Sequence, residues 1–307
     1  MDFKKAFDRV DHFKLFSALV KASIPRWIIG ILLEWYGKLK VAVRWGSASS
    51  RVFYVKSGVR QGSSLSPALF NVFINIFITE IRSCHYGCSI NNTFVGIIMY
   101  ADDFLLLSAT VDGLQNMLNC CQMLSSVVEL NFNPKKCSCS VIGPASCYVI
   151  RDMKLGHDNI CWSSTFKYLG ISFVSEINLS VDSNLIKRKF FASCNCVLGN
   201  IKTLDEIIKL NMMETFYLPV LLFATATIKL SNVQVAELNA GWNSIYHQIF
   251  GFSRWESVKC FIGGLGRLDF NYLRLFLHLK FCRICISYCI LQNFVEYILS
   301  RFPNVTM

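Results

Sequence analysis

The sequence lacks several features that define whole classes of protein. It contains no uninterrupted apolar run close to the roughly 18 residues expected of a membrane-spanning helix. The closest candidate, FYLPVLLFATATI at 216–228, is shorter and contains threonine. The first residues lead directly into charged side chains, without the apolar segment of a signal peptide. Internal repeats and low-complexity tracts are also missing. We therefore expect a soluble, intracellular globular protein that has no membrane partner.

The sequence is not poor in cysteine, however, and its 14 cysteines need an explanation. Without a signal peptide we expect a reducing compartment and free thiols. His278, Cys282, Cys285 and Cys289 are spaced like one face of a helix, over roughly 16 Å of helix axis. Ligands so far apart cannot converge on one zinc ion, which needs contacts of about 2.0–2.3 Å. The spacing predicts an apolar core stripe instead.

Acidic residues are scarce relative to basic ones, 20 against 31, which gives a formal net charge of +11. Residues 1–60 carry 12 basic and 4 acidic side chains, residues 61–181 carry 6 and 8, and residues 182–307 carry 13 and 8. A slightly acidic middle between basic ends suits a polyanion held near a metal-binding centre. Charge alone agrees equally well with an ordinary basic protein.

The hydrophobic pattern predicts an α+β domain followed by a helical one. We expect helices at 12–22, 25–36, 66–82 and 111–128, and a hairpin around the Gly-Ser-rich residues 46–50. Further strands are expected near 94–100, 104–109, 137–142, 147–150, 159–162 and 165–174. Beyond 180 the helical stripes, such as those around 235–249 and over 270–300, predominate. With 307 residues, about two domains are expected, at 1–180 and 181–307.

Two adjacent carboxylates, Asp102 and Asp103, interrupt the apolar run IIMYADDFLLLS at 97–108. Their mutual repulsion makes it costly to keep both ionised. Asp is a common turn residue, so the pair could simply mark a hairpin tip. Asp2 offers a third carboxylate, and three such oxygen donors are the ligands that Mg²⁺ prefers. The sequence alone leaves both interpretations open.

A glycine-containing segment, SGVRQGSSLSPALFN at 57–71, lies between these acids in the sequence. Gly58 and Gly62 would let the backbone approach a ligand closely, and Arg60 and Gln61 carry hydrogen-bond donors. An ordinary loop before a helix is the alternative interpretation.

In order and spacing, five motifs resemble the polymerase domain of reverse transcriptases from non-LTR, LINE-type retrotransposons. They are DFKKAFD at 2–8, GVRQGSSLSPALFN at 58–71, YADD at 100–103, LNFNPKKC at 130–137 and FKYLGI at 166–171. YLPVLLFATA and AGWNSIYHQIFG are similar to the helical region of those elements. The resemblance implies a polymerase palm, with an antiparallel sheet and packed helices, over 1–180, followed by a helical thumb and C-terminal region.

The resemblance also implies a set of catalytic residues. Asp2, Asp102 and Asp103 would hold two Mg²⁺ ions, with Mn²⁺ as a substitute. Lys136 would donate a proton to the leaving pyrophosphate, with Lys135 as the fallback and a solvated turn lysine as the alternative. The implied activity is RNA-directed DNA synthesis from dNTPs, on an RNA template and a DNA primer.

Substrate contacts follow from the same resemblance. Phe7 would stack under the incoming sugar and exclude a 2′-hydroxyl, although it could equally be a core residue. Arg60, Gln61 and Gly62 would bind substrate, the latter two along the nascent base pair. The primer grip would consist of Phe166, Tyr168, Leu169 and Gly170. A basic triplet at 187–189 could meet duplex phosphates or be a solvated helix face.

The chain departs from the family pattern at its N-terminus. Family members have a fingers region before the first catalytic aspartate, whereas here one residue precedes Asp2. We expect this to be a truncated polymerase in which Asp2 frays unless other segments tie it down. A non-catalytic nucleic-acid-binding remnant of a retrotransposon is the alternative. A group II intron-type reverse transcriptase is a more distant one.

Overall fold

The computed structural model describes residues 1–91, 93–144, 151–201, 203–223 and 225–287. The fold is α+β, as predicted, and the chain divides into two compact units with the boundary between Leu169 and Gly170. This boundary lies earlier than the predicted one after residue 180. None of the helices in the described ranges is long and apolar enough to cross a bilayer.

The α-helices of the first unit are α1 (His12–Lys21), α2 (Arg26–Gly37), α3 (Ser66–Ser83) and α4 (Val111–Val128). Their starts are encoded locally. The Asp11 carboxylate accepts a hydrogen bond from the amide of Lys14, and the Thr110 hydroxyl accepts one from the amide of Gly113. Pro67 occupies the first turn of α3. The predicted helices therefore agree with the structure to within about a residue or two.

The strands of the first unit are short. They are β1 (Lys40–Val41), β2 (Arg44–Trp45), β3 (Ala48–Ser49), β4 (Phe53–Tyr54), β5 (Ser89–Ile90), β6 (Thr93–Phe94), β7 (Ile97–Tyr100), β8 (Asp103–Leu106), β9 (Ser138–Cys139), β10 (Met153–Leu155), β11 (Asp158–Trp162) and β12 (Thr165–Tyr168). Strand β1 pairs with β4 and β2 with β3, which confirms the hairpin predicted around 46–50. The strand predicted at 147–150 lies outside the described residues.

The pairing of β7 with β8 is the hairpin that positions the acidic pair. It is antiparallel, with Tyr100 opposite Asp103 and Met99 opposite Phe104. Strand β11 pairs antiparallel with β10 and parallel with β9. Helix α3 packs against α1, α4 and β7.

Four buried phenylalanines form the centre of the first unit, directly behind the acids. The ring of Phe3 stacks on Phe132 at 4.6 Å between centroids and lies 5.5 Å from Phe104. Phe77 on α3 meets Phe3 edge to face at 5.7 Å. Aromatic pairs of this kind contribute about 0.5–1.5 kcal/mol each beyond their burial. Because side chains alternate along a strand, burying Phe3 and Phe104 turns their neighbours Asp2 and Asp103 away from the core.

The second unit begins with the antiparallel hairpin of β13 (Ile171–Ser175) and β14 (Leu179–Val181) and is otherwise helical. A single strand predicted at 165–174 is therefore interrupted, because Leu169 and Gly170 both adopt positive φ. The helices are α5 (Ser183–Asn200), α6 (Glu206–Phe216), α7 (Leu218–Leu222), α8 (Asn232–Phe250), α9 (Lys259–Gly264) and α10 (Phe270–Ser287).

The core of the second unit surrounds α8, which contacts α5, α6 and α10. Trp242 and Tyr246 on α8 are completely buried. The predicted cysteine stripe on α10 is only partly present: Cys285 is buried, but His278 is exposed, so the core interpretation is wrong at that residue. Cys289 lies outside the described residues.

Candidate active site

Residues 1–4 form an extended segment that is hydrogen-bonded on both sides. On one side Asp2 is the bridge partner of Asp103, and Met1 exchanges hydrogen bonds with Phe104. On the other side the amide of Asn133 donates to the carbonyl oxygen of Asp2 at 2.9 Å, and Lys4 donates to Asn131. The main chain of Asp2 is thus tied down by two segments, and the expected fraying does not occur.

The Tyr-Ala-Asp-Asp turn projects the second acid from the tip of the β7–β8 hairpin. Ala101 adopts a φ of +53°, in the left-handed region that costs energy for any residue with a Cβ atom. Such strain is retained where surrounding structure enforces it and is found at functional sites. Asp102 follows in the turn, and Asp103 begins β8. The hairpin interpretation is therefore confirmed, and the role of the acids as metal ligands stays a prediction.

The three carboxylates affect one another electrostatically. Burial is the main reason why the pKa of Asp102 is raised, and the negative charges of Asp103 and Asp2 raise it further. A backbone hydrogen bond and the positive charge of Lys136 oppose this rise. The arrangement favours a cation or a proton at the hairpin tip.

Lys136 supplies the cation that is closest to Asp2. Its Nζ atom lies 2.9 Å from Oδ2 of Asp2, and the side chains are 67% and 14% exposed, respectively. Hydrogen bonding to Asp2 and the Asp2 charge raise the pKa of Lys136, which therefore stays protonated. Lys135 and Lys136 both belong to the 3₁₀ turn Pro134–Lys136. Lys136 makes the ion pair with Asp2, whereas the side chain of Lys135 extends into solvent.

A cleft of about 370 Å³ opens beside Asp2. Lys5, Arg9 and Lys136 line it together with Asn133. Lys5 adopts a φ of +51°, a second strained non-glycine residue close to the acids. Sequence reasoning missed Lys5, Arg9 and Asn133, although all three lie in or next to the quoted motifs.

The glycine-containing segment packs directly on the first motif. The amides of Gly58 and Val59 donate to the carbonyl oxygens of Val10 and Phe7, each at 2.8 Å. A Cβ atom on Gly58 would lie 2.8 Å from the carbonyl oxygen of Asp8, and its φ of +92° also requires glycine. These contacts bring two of the predicted motifs together in space.

The predicted substrate residues occupy different surroundings. The Phe7 ring is half-buried and stacks on Phe70 at 4.6 Å, so it is both packed and accessible. Exposed Gln61 donates from Nε2 to Oδ1 of Asp8 at 2.9 Å. Gly62 is exposed with a φ of +81°. The exposed Arg60 lies near Tyr36, where its charge partly offsets the rise in the Tyr36 pKa caused by burial.

The predicted primer-grip residues straddle the boundary between the units. Phe166 and Tyr168 are half-buried in the first unit. The Tyr168 hydroxyl is buried and has no hydrogen-bond partner among the described residues. Burial, and then the charge of Asp103, raise the pKa of Tyr168, which places its ring in the field of the acids. Leu169 is 39% exposed, and Gly170 begins the second unit.

Comparison with known proteins decides the family. Residues 1–173 match the family described as reverse transcriptase (RNA-dependent DNA polymerase), which is more than half of the chain. The chain belongs to the reverse transcriptase family. The match includes the three acids, Lys136 and the whole of the glycine-containing segment, and it agrees with the predicted resemblance to non-LTR elements.

Several retrotransposon polyproteins are similar to this reverse transcriptase. The Pol polyprotein of the type-2 retrotransposable element R2DM of Drosophila melanogaster is 28% identical over 190 residues, which is 57% of this chain and 17% of that protein. The R2 polyprotein of Nasonia vitripennis is 26% identical, over 60% of this chain and 19% of its own length. The polymerase of the jockey element of Drosophila funebris is 27% identical, over 56% and 19%. The chain therefore spans less than a fifth of the length of these relatives.

Reverse transcriptases generally use divalent metal ions. Within the described ranges, however, no group of three or more His, Cys, Asp or Glu side chains is arranged to hold a metal ion. The donor set itself consists of carboxylates, which suit Mg²⁺.

Proposed function

We propose that this chain supplies the polymerase site of a non-LTR retrotransposon, copying an RNA template by adding deoxynucleotides to the 3′-hydroxyl of a DNA primer. One observation carries the proposal: the segment 1–4 holds Asp2 beside Asp103, with Asp102 at the adjoining hairpin tip and Lys136 on the Asp2 carboxylate. Three acids and one cation on neighbouring segments suit the transfer of a nucleotidyl group, once the acidic side chains reorient around metal ions.

Asp2, Asp102 and Asp103 would hold two Mg²⁺ ions, which, when bound, would polarise the attacking hydroxyl and neutralise the departing pyrophosphate. Lys136 now neutralises Asp2, so these side chains would have to reorient, with Lys136 exchanging Asp2 for the leaving phosphates. Once it leaves Asp2, Lys136 would lose the contact that raises its pKa and could give its proton to the leaving pyrophosphate.

The cleft beside Asp2 would receive the triphosphate of the incoming nucleotide. Its lining cations, Lys4, Lys5, Arg9 and Lys136, match the charge of a polyphosphate. Phe7 would carry the sugar on its accessible ring face, where a 2′-hydroxyl would collide with the ring. Gln61, anchored on Asp8, would border the nascent base pair, and Tyr168 and Leu169 would position the primer strand.

Primer extension tests this proposal. We expect the chain, given a primer on an RNA template, Mg²⁺ and dNTPs, to add nucleotides in the order that the template specifies, with or without an upstream fingers segment from a related element. Phe7→Ala should raise the use of ribonucleotides relative to deoxynucleotides, whereas Phe13→Ala, at an exposed position on α1, should not. If the chain binds the primer–template duplex but does not extend the primer, either with or without the fingers segment, the result would instead support the non-catalytic remnant.

A further inference from the structure

Asp8, the second acid of the first motif, makes a side-chain contact that reaches across the proposed substrate site. Its Oδ1 atom accepts a hydrogen bond from Nε2 of Gln61 at 2.9 Å. The two residues are 53 positions apart in the sequence, and both are exposed. None of the ion pairs found in the described ranges involves Asp8, so no paired lysine or arginine competes with the Gln61 amide for this carboxylate.

The loop that carries Gln61 is anchored three residues earlier, at Gly58. The Gly58 amide donates to the carbonyl oxygen of Val10 at 2.8 Å, and the ring of His12 contacts the Gly58 carbonyl oxygen, with 2.9 Å from Nε2. Gly58 is buried and packs so closely on the Asp8 carbonyl oxygen that a Cβ atom has no room there. Because the two segments are already held together, the side-chain bond between Asp8 and Gln61 loses less conformational entropy when it forms.

The Asp8 carboxylate fixes which way the Gln61 amide faces. An ionised carboxylate only accepts hydrogen bonds, so the amide must turn its NH₂ group towards Asp8. One N–H and the carbonyl oxygen of the amide then remain for another partner. A hydrogen bond to a charged acceptor is stronger than one between neutral groups. Gln61 therefore presents its polar groups in one orientation instead of rotating freely.

The Phe7 side chain is supported differently, although it is the residue next to Asp8. Its ring stacks on Phe70 of α3, with 4.6 Å between the ring centroids. Phe70 is completely buried, so the support for the Phe7 ring lies in the core and not in the glycine-containing loop. The side chains proposed to meet the sugar and the base pair therefore have separate supports.

We infer that Asp8 is a positioning residue for base selection, because it holds the Gln61 amide in the one orientation that fits a correctly paired base. A fixed amide favours one base-pair geometry, whereas a rotating amide adapts to mismatched pairs and stabilises them as well. This role rests on the proposed function, since it requires Gln61 to border the nascent base pair. Base selection and sugar selection then depend on different residues.

Single-nucleotide addition opposite a defined template base tests this role. The chain, alone or with a fingers segment joined upstream, receives the correct or an incorrect dNTP, and kcat/KM is measured for each. Asp8→Leu, similar in shape but without an acceptor, should lower the ratio of correct to incorrect addition by roughly tenfold, the loss expected from one hydrogen bond to a charged group. Asp8→Asn keeps an acceptor oxygen and should stay within about threefold of the wild-type ratio. Asp112→Leu, on the exposed start of α4, is the matched control and should leave the ratio unchanged.

A double-mutant cycle shows whether Asp8 acts through Gln61. Gln61→Leu should lower the ratio of correct to incorrect addition at least as much as Asp8→Leu does. Adding Asp8→Leu to Gln61→Leu should then change the ratio by less than about twofold, because the two residues act as one unit. Losses that multiply in the double variant would overturn the inference, since Asp8 would then act independently of Gln61.

Sugar selection separates positioning from general damage to the motif. Asp8→Leu should keep the wild-type ratio of deoxynucleotide to ribonucleotide addition, whereas Phe7→Ala should lower that ratio and keep base selection. If Asp8→Leu does not fold, Asp8→Ala removes the same acceptor without adding apolar surface and takes its place. A fall of both ratios in the Asp8 variant would show that Asp8 supports the motif as a whole, which would overturn the inference.

The same assay distinguishes this role from the proposed function. Template-directed addition by the wild type, with an unchanged ratio of correct to incorrect addition in Asp8→Leu, would overturn the role of Asp8 and leave the polymerase proposal standing. If the wild type adds no nucleotide, either with or without the fingers segment, both proposals would be overturned together.

Discussion

Lys136 reaches the carboxylate of Asp2, with 2.9 Å between Nζ and Oδ2, from a turn that lies within the family match but 134 residues further along the chain. The same turn region holds the Asp2 main chain, because Asn133 donates its amide to the Asp2 carbonyl oxygen. This segment thus neutralises the charge of Asp2 and shares the positioning of its main chain with β8. Removing the lysine should therefore affect catalysis more than folding.

Lys136→Met should reduce the rate of nucleotide addition by about 10²-fold, the lower end of the usual contribution of a proton donor. Lys135→Met, the same change at the neighbouring exposed position, should reduce it by less than about threefold, because a lone phosphate contact contributes little. Single-turnover primer extension measures both rates. Equal losses in the two variants would mean that the proton-donor role is wrongly assigned.

Asp102→Asn should raise the melting temperature at neutral pH without divalent metal. The folded-state pKa of Asp102 is raised by burial and by the charges of Asp103 and Asp2, so the ionised form destabilises the fold. The sign follows from linkage: the contribution of Asp102 to stability is most favourable below its unfolded pKa and falls as pH rises through its folded pKa. The advantage of the variant should thus be present at pH 7–8 and vanish near pH 4. Thermal melts across this range measure it, and a variant that melts lower at pH 7 would contradict the electrostatic picture.

Mg²⁺ should stabilise the wild type if the three acids hold it. At about 100 times the dissociation constant, a ligand specific for the folded state adds about 2.7 kcal/mol. Asp2→Asn and Asp102→Asn should abolish most of this gain, whereas Lys136→Met should increase the affinity because it removes a competing cation. Isothermal titration with Mg²⁺ provides the comparison, and Asp112→Asn, on the exposed start of α4, is the control. An identical response of all four variants would exclude the hairpin tip as the binding site.

Gly58→Ala should destabilise the first unit by about 1–3 kcal/mol, because a Cβ atom would meet the Asp8 carbonyl oxygen and φ is positive. Gly30→Ala should instead increase the free energy of unfolding. Gly30 lies in α2 with nothing near its added Cβ, so alanine should stabilise the helix by about 0.5–1 kcal/mol. Urea denaturation of both variants tests the contrast, and destabilisation of similar size at the two glycines would show that the contact with Asp8 is not rigid.

Local patterns predicted most of the helices, since their signals lie within a few residues. Thr110 as the cap of α4 and Pro67 in the first turn of α3 can both be recognised without tertiary information. The strands were harder to predict, because β-pairing depends on distant partners. The interruption at Leu169 and Gly170 depends on two consecutive positive φ angles, of which only the glycine is signalled by its residue type.

The candidate site shows the same division. Asp2, Asp102, Asp103 and Lys136 could be named from the resemblance of their motifs to the family, but their mutual arrangement could not. The ties on Asp2 come from β8 and from residues 131–133, segments far away in sequence, so the chain start alone suggested fraying.

Primer extension by Asp102→Asn beside Asp112→Asn, on an RNA template with Mg²⁺ and dNTPs, tests the central claim most directly. Both substitutions remove one carboxylate charge, one at the hairpin tip and one on the exposed start of α4. We predict that extension by the chain, alone or with a fingers segment joined upstream, is lost in Asp102→Asn and retained in Asp112→Asn. Extension that survives in Asp102→Asn, or that both substitutions abolish equally, would contradict the assignment of the acids at the hairpin as the polymerase site.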